Sequence, residues 1–301
     1  VLVQFKSLEI FLAVLKYGSF SHAAQHLHTV QSNITNHIKK LENELNCEIV
    51  TRQTPIQATS AGQDLLRYAE QIVRLHHQAK AHFLSDDQQA FAVKMGSMET
   101  AAAMHLPALF QYIFQHNSRF QLDLHTAPTR ELIDLVENWK IDCAFVAHSD
   151  PIENLFSMHV WTEKLVLVSS KQSRLELNAK SLHNSRFIAF KQGCSYRRVI
   201  ELFLQSRHVP ATQIIEMGSL DGIINCVLLS MGCAILPERY ILQSPYYDQL
   251  KIFELDEPLA FSKTYLIANQ PKTWNKNLQM LVKFIEQYSN EFYGKNKSLE
   301  P

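Results

Sequence analysis

Apolar residues recur at helical spacing through the first part of the chain. Leu8, Phe11, Leu12 and Leu15 fall at i, i+3, i+4 and i+7, which predicts a first helix begun by Ser7 as N-cap and ended by Gly18. Ser21 reads as the N-cap of a short second helix over 22–27, where the small residues Ala23 and Ala24 let another helix approach closely. Thr29-Val30 makes a turn, and a third helix starts near Gln31 with Ile34, Ile38, Leu41 and Leu45 on one stripe. Its opposite face carries Gln31, Ser32, Asn33, Thr35, Asn36, Lys39 and Lys40. Three short helices with a tight turn before the third form the pattern of a helix-turn-helix. Uncharged polar side chains crowd the leading end of the third helix, the end that reads base edges in a major groove. An ordinary three-helix bundle with a solvated polar face fits the same pattern, and periodicity alone leaves both readings open.

From about Gly62 to Leu84 the chain has no Pro and no further Gly, which predicts one long helix. Leu65, Ala69, Ile72, His76, Ala79 and Phe83 follow one another at spacings of 4, 3, 4, 3 and 4, a heptad seam. The helix either packs on its own domain or pairs with a second copy, and Ala69 and His76 make the seam weak as a free coiled coil. Ser85-Asp86-Asp87-Gln88-Gln89 reads as a polar hinge, with a second domain from about Ala90.

Beyond the hinge the pattern alternates strand and helix. Strands are expected at 91–95, 120–125, 143–146, 165–169, 187–190, 214–216, 233–236 and 264–268. Helices are expected at 105–115, 131–138, 197–207, 220–230 and 276–288. Such alternation predicts an α/β domain with mainly parallel sheets, whose ligands bind where strands end and helices begin. Four junctions offer small hydroxyl residues and free N–H groups suited to an anion. They are Ser97 with Thr100, Thr126, Cys194 with Arg197, and Ser219 at the head of a helix. N-capping explains each hydroxyl equally well, and a surface salt bridge explains Arg197 equally well.

Composition narrows the class. The chain has 301 residues, 46% of them hydrophobic, and no apolar run approaches the length a membrane helix needs. The first residues lack the order of a signal peptide, so the sequence is expected to belong to the cytoplasm. Formal net charge is zero. Residues 1–84 hold eight Lys and Arg against six Asp and Glu, a weak basic bias. Any DNA contact therefore relies on N–H groups, polar side chains and dimerisation as much as on long cations. The five cysteines, none in a Cys-x-x-Cys pair, are expected to be reduced thiols. Cys194, near Arg197 and Arg198, is either a reactive thiolate or a plain loop thiol. His22 and His26 lie at i, i+4 but lack a third ligand nearby, so no metal or other cofactor is expected. Catalytic motifs are absent and the chain is not expected to be an enzyme.

The ordered run Phe11-Leu12-Ala13-Val14-Leu15-Lys16-Tyr17-Gly18-Ser19-Phe20-Ser21-His22-Ala23-Ala24 resembles the opening of LysR-type transcriptional regulators. Leu27-His28-Thr29-Val30-Gln31-Ser32-Asn33-Ile34-Thr35, Ile38-Lys39-Lys40-Leu41-Glu42-Asn43-Glu44-Leu45 and Thr59-Ser60-Ala61-Gly62 continue the likeness, and Met231-Gly232-Cys233-Ala234-Ile235-Leu236-Pro237 extends it to the second domain. The resemblance implies an α+β multidomain chain with an N-terminal winged helix-turn-helix (1–61), a long linker and dimerisation helix (62–89) and a C-terminal effector domain (90–301). That last domain would be α/β and like a periplasmic binding protein. It would have two subdomains, about 90–162 with 268–301 and about 163–267, and a small effector, an anionic metabolite, in the cleft between them. The resemblance further implies that Gln31, Ser32, Asn33, Thr35 and Asn36 face DNA, that Lys39 lies near a phosphate and that Arg52 sits at the base of the wing. Ser97, Thr100, Thr126, Cys194, Ser219 and Arg197 would face the effector. The partners implied are double-stranded DNA with an interrupted palindrome, a second copy or three further copies of the chain, and RNA polymerase. The sequence departs from the family pattern at Asn36, where Arg is usual, at Asn46, where Gly is common, and in a wing about one residue shorter.

Overall fold

The computed structural model describes residues 3–84, 92–210 and 214–293. The chain divides into two compact units, Val1–Gln89 and Ala90–Pro301. The expected hinge at 85–89 lies outside the described residues.

The first unit is built from α1 (Phe5–Tyr17), α2 (Phe20–His26), α3 (Gln31–Leu45) and α4 (Ser60–Leu84), with a wing between α3 and α4. Phe11, Val14, Ala23, Ile34, Ile38 and Leu41 are fully buried and form its core. Each large apolar side chain removed from water there contributes about 1.5–3 kcal/mol. Gly18 ends α1 with φ 61°, a left-handed conformation that side chains disfavour. The wing is closed by a bridge between Val50 and Ala58, and Ile56 buries its side chain while its N–H reaches Gly18 O at 2.9 Å. Thr59 pins the wing to the next helix: its hydroxyl donates to Glu48 O at 2.6 Å and accepts from the Gly62 N–H at 3.0 Å. A Cβ on Gly62 would lie 1.9 Å from Ile49 O, so only glycine lets the start of α4 pass this close.

Two expected caps are displaced. The α1 helix starts at Phe5 after Gln4, and Ser7 is a buried helical residue whose hydroxyl meets His37 Nδ1 at 3.0 Å. The cap of α2 is Ser19, while Ser21 donates to Gln31 Oε1 at 2.9 Å and so ties α2 to α3. The heptad seam is also re-registered. Ala69 is fully buried in the helix-turn-helix core and Leu65 packs against it. Among the residues of α4 whose burial is described, the large apolar ones left outside are Tyr68 (63% exposed), Ile72 and Leu75 (46% each), with Ala79 next in the same stripe. Only Ile72 and Ala79 belong to both stripes. The first two turns of α4 root the helix in its own domain, so a repeat counted from Leu65 starts on the wrong face.

The second unit holds β1 (Val93–Ser97), α5 (Glu99–Met104), α6 (Leu106–His116), β2 (Leu122–Thr126), α7 (Thr129–Glu137) and β3 (Cys143–Ala147). Next come β4 (Phe156–Ser170), α8 (Ala179–His183), β5 (Phe187–Ala189), α9 (Ser195–Ser206), β6 (Ile214–Glu216) and α10 (Leu220–Leu228). The remainder is β7 (Ala234–Pro237), α11 (Glu238–Gln243), β8 (Leu250–Glu254), β9 (Phe261–Ala268) and α12 (Lys276–Phe292). The long strand β4 organises the unit. Its first part pairs with β9, and its second part, from Leu165, pairs with β7 and β8. Two separate hydrophobic cores result, one from residues 93–161 and 265–288 and the other from residues 165–260. The chain therefore crosses between subdomains within β4 and returns at the start of β9, several residues before the expected 268.

The expectation of mainly parallel sheets holds only in part. The pairs β1–β2, β1–β3 and β5–β6 are parallel, whereas every pairing of β4 and β9 is antiparallel. A strand that returns through a hinge runs against its neighbours, so the crossing itself sets this departure.

Candidate nucleic-acid interface and ligand cleft

On α3 the buried stripe of Ile34, Ile38 and Leu41 leaves Gln31, Ser32, Asn33, Asn36, Lys39 and Lys40 exposed on the other side, with Thr35 half-buried. No side chain caps the helix, and the Asn33 N–H donates to Val30 O at 3.0 Å, which leaves the Gln31 and Ser32 N–H groups open to an anion among the described residues. The polar residues differ in how free they are. Asn33 donates to Thr29 Oγ1 at 3.0 Å, and the Thr35 hydroxyl donates back to Gln31 O at 3.0 Å. Gln31 spends its carbonyl on Ser21 and keeps its amide NH2. Ser32, Asn36, Lys39 and Lys40 have no partner among the described residues.

Arg52 stands at the base of the wing, but its charge is already committed. It donates to Glu42 Oε2, whose other oxygen accepts the Ile49 N–H at 3.1 Å. Glu42 is 8% exposed. Arg52 is thus a wing anchor, and Lys39 and Lys40 are the uncommitted cations of this face. The sequence placed Glu42 in a helical run without marking it, because a buried carboxylate inside an amphipathic helix has no signature of its own.

In the second unit the strand ends and helix starts converge between the two cores. Ser97 and Thr126 are register partners at the ends of β1 and β2, with Ser97 fully buried and Thr126 exposed. The Ser97 hydroxyl donates to Met98 O at 3.0 Å. Pro128, before α7, faces the loop at Gly193, where an added Cβ would lie 3.5 Å from Pro128 Cβ. Cys194 occupies the N-cap position of α9, and burial pushes its thiol up, with Glu99 adding to the rise. A raised thiol carries less thiolate, so the plain loop thiol is favoured over a reactive one. Ser219 caps α10 by accepting the Gly222 N–H at 3.2 Å. All five cysteines are free, and no cluster of metal-ligating side chains occurs among the described residues.

Arg197 is corrected by the structure. It donates to Glu201 at 3.2 Å and to Glu216 at 2.6 Å, and it is 16% exposed. It fastens α9 to β6 and is not a free clamp for a ligand carboxylate. Thr100 is likewise engaged. It bonds the buried Tyr196 phenol, which donates to Glu163 Oε2 at 2.8 Å. Glu163 Oε1 accepts from His105 Nε2 at 2.8 Å, and His105 Nδ1 meets the Tyr293 hydroxyl at 2.8 Å. This buried network joins α5, α6, α9 and α12 through the crossing strand β4.

Glu99, Thr129, Tyr196 and Tyr240 belong to this region and were not singled out from the sequence. Glu99 Oε1 accepts the Leu220 N–H across the cleft at 3.5 Å. Tyr240 donates to Asp221 at 3.1 Å, and its phenol is pushed up to about 12, chiefly by burial and then by Asp221. A carboxylate at the first position of a helix reads as ordinary dipole complementarity, which conceals Glu99.

A polar helix tip with a wing in one unit, and two cores joined by crossing strands in the other, define the architecture of a DNA-binding transcriptional regulator. The family model for the bacterial regulatory helix-turn-helix protein of the lysR family matches residues 5–63, and that for the LysR substrate binding domain matches residues 87–289. The chain belongs to the LysR family of transcriptional regulators, and it is a regulator rather than an enzyme. It is 37% identical over 251 residues to the HTH-type transcriptional regulator YofA of Bacillus velezensis, covering 83% of this chain and 86% of that one. Over 266 residues it is 31% identical to the HTH-type transcriptional regulator GltR of Bacillus subtilis, covering 87% and 89%. In fold it is similar to ArgP from Mycobacterium tuberculosis, with a TM-score of 0.71 at 18% identity over 94% of this chain and 96% of that one. It is also similar to full-length CbnR in complex with its target DNA, with a TM-score of 0.66 at 16% identity over 94% and 99%. No described helix is long and apolar enough to cross a membrane.

Proposed function

We propose that the protein binds an interrupted palindromic promoter site as a cytoplasmic homo-oligomer, and that a small effector held between the subdomains of the second unit modulates this binding. The exposed face of α3 carries the reading. Gln31, Ser32 and Asn36 present donors and acceptors to base edges, Asn33 and Thr35 hold the helix tip in shape, and Lys39 meets a phosphate. Arg52 acts through the wing that it holds in place. The stripe Tyr68, Ile72 and Leu75 on α4 supports pairing with a second copy, which is what a palindrome requires. The class of protein supports RNA polymerase as a further partner.

For the cleft, Ser97, Thr126, Cys194 and Ser219 lie at the strand ends and helix starts that bind small molecules in such sheets. A ligand that favours one subdomain arrangement shifts the equilibrium between arrangements by its differential affinity, and through the paired subunits it alters promoter occupancy. Quantitative gel-shift with DNA from upstream of the protein's own gene, across a salt series, tests the DNA arm. Gln31→Ala with Asn36→Ala is expected to cut discrimination between site and non-site by roughly 1–3 kcal/mol per lost base contact. Unchanged discrimination would remove α3 from the reading role.

A further inference from the structure

Two polar groups of this region have buried oxygens without a partner among the described residues, and the first is Glu99. Glu99 begins α5 and reaches toward both walls. One of its oxygens accepts the Leu220 N–H only at the long limit of 3.5 Å. The other, Oε2, is buried and accepts no hydrogen bond among the described residues. No Lys, Arg or His forms an ion pair with it among the described residues. Its contact with Leu220 sets it at the start of α10, and Met98, just before it, has its sulfur 4.0 Å from the Ser195 hydroxyl at the start of α9. A buried carboxylate oxygen without a donor is unfavourable, and a group that brings a positive charge with its own N–H donors removes that penalty.

A second group points the other way in charge. Thr129, the first residue of α7, is 8% exposed, and its Oγ1 has no partner among the described residues. Pro128 precedes it, and no side chain caps this nine-residue helix. The helix start lies against the Gly193 loop, directly before Cys194. A hydroxyl and uncapped N–H groups there suit a carboxylate. Arg197, the one cation expected to hold such a group, is spent on Glu201 and Glu216.

We infer that the effector of this cleft is a small zwitterion of the amino-acid class, its ammonium group paired with Glu99 and its carboxylate at the start of α7 beside Thr129. The inference rests on the reading of the cleft as the effector site. It keeps the expected anionic group and adds an obligatory nitrogen: a simple organic acid leaves Glu99 unpaired, and a simple amine leaves the α7 donors unused.

The test measures thermal shift and calorimetric binding on the full chain. The probes are the proteinogenic L-amino acids, their matched 2-hydroxy acids and the corresponding decarboxylated amines. At least one amino acid is expected to stabilise the protein, with the hydroxy acid and the amine of the same side chain binding tenfold or more weakly. Glu99→Gln keeps an acceptor for Leu220 and removes the buried charge. It should melt, unliganded, at or above the wild type while losing tenfold or more in amino-acid affinity. Thr129→Val should weaken the amino acid but leave the amine unaffected. Equal binding of amino acid and hydroxy acid, or undiminished binding by Glu99→Gln, overturns the inference and leaves the effector site standing. No binding by any probe overturns both. If Glu99→Gln does not fold, the comparison of matched probes on the wild type decides.

Discussion

Glu42 offers a quantitative test of how the wing is held. Its side chain is 8% exposed and satisfies two groups at once, the Ile49 N–H and the Arg52 guanidinium. Glu42→Ala leaves the Ile49 donor buried without a partner, which costs about 1–3 kcal/mol. The lost ion pair adds little, about 0–1 kcal/mol, because the Arg52 side chain is 46% exposed and finds water. The opening free energy of the wing root should therefore fall by about 1–4 kcal/mol, equivalent to a locally open population roughly 5–1,000-fold larger. Native-state hydrogen exchange at the Ile49 amide reads this directly in the full chain, without assuming that two units unfold as one. Glu42→Gln keeps an acceptor for Ile49 and should accelerate exchange about tenfold or less. Arg52→Ala leaves the carboxylate bonded to Ile49 and should change that amide less than Glu42→Ala does. Were Ile49 exchange to be unaltered by Glu42→Ala, the buried carboxylate would not be what anchors the wing.

Other outcomes follow from the same geometry. Gly62→Ala forces a Cβ to within 1.9 Å of Ile49 O. It should destabilise the first unit by about 1–3 kcal/mol or more and abolish promoter binding, with amide protection in the second unit unchanged. Ile72→Asp with Leu75→Asp places charges in the exposed α4 stripe and should shift sedimentation toward smaller species; an unchanged oligomer would exclude the stripe from the interface. Alkylation near neutral pH should reach the exposed Cys47 first, whereas Cys194, raised by burial, should react slowly until the pH climbs above the usual thiol range. Lys39→Gln should reduce the salt dependence of DNA affinity by about one phosphate contact per subunit, and Arg52→Gln should change it less.

Much of the fold is legible in the sequence where apolar period and turn residues agree. The α3 helix runs over the expected Gln31–Leu45, Gly18 closes α1, and the 214–216 strand stands where its apolar run predicts. What the pattern misses is decided by tertiary context. A serine just before the apolar run made Ser7 and Ser21 look like caps, but the backbone turns at Gln4 and Ser19, and the two hydroxyls serve contacts with His37 and Gln31. The heptad count on α4 failed because Leu65 and Ala69 are claimed by the domain below them. The full extent of β4, from Phe156 to Ser170, escaped because its two halves face different cores and share no single alternation.

The candidate sites were legible in proportion to how local their logic is. A polar helix tip is a matter of consecutive residues, so Gln31, Ser32 and Asn36 are found correctly on the exposed face of α3. Charge pairing is not local. The sequence left Arg197 open between ligand clamp and salt bridge and named no partner for Arg52, and the fold sets Glu201 with Glu216 beside the first and Glu42 beside the second. The same blindness hid Glu99, whose carboxylate forms no ion pair among the described residues. A sequence shows which charges exist, and only a fold shows which remain uncompensated. Among the described residues, Lys39 and Lys40 on α3 and Glu99 in the second unit form no ion pair. On the readings proposed above, electrostatic demand has opposite sign at the two sites: Lys39 would take a phosphate, and Glu99 a cationic nitrogen. A polyanion that competes for α3 has no affinity for Glu99, so occupancy of the cleft can change DNA binding only through the conformation of the chain, not by direct competition.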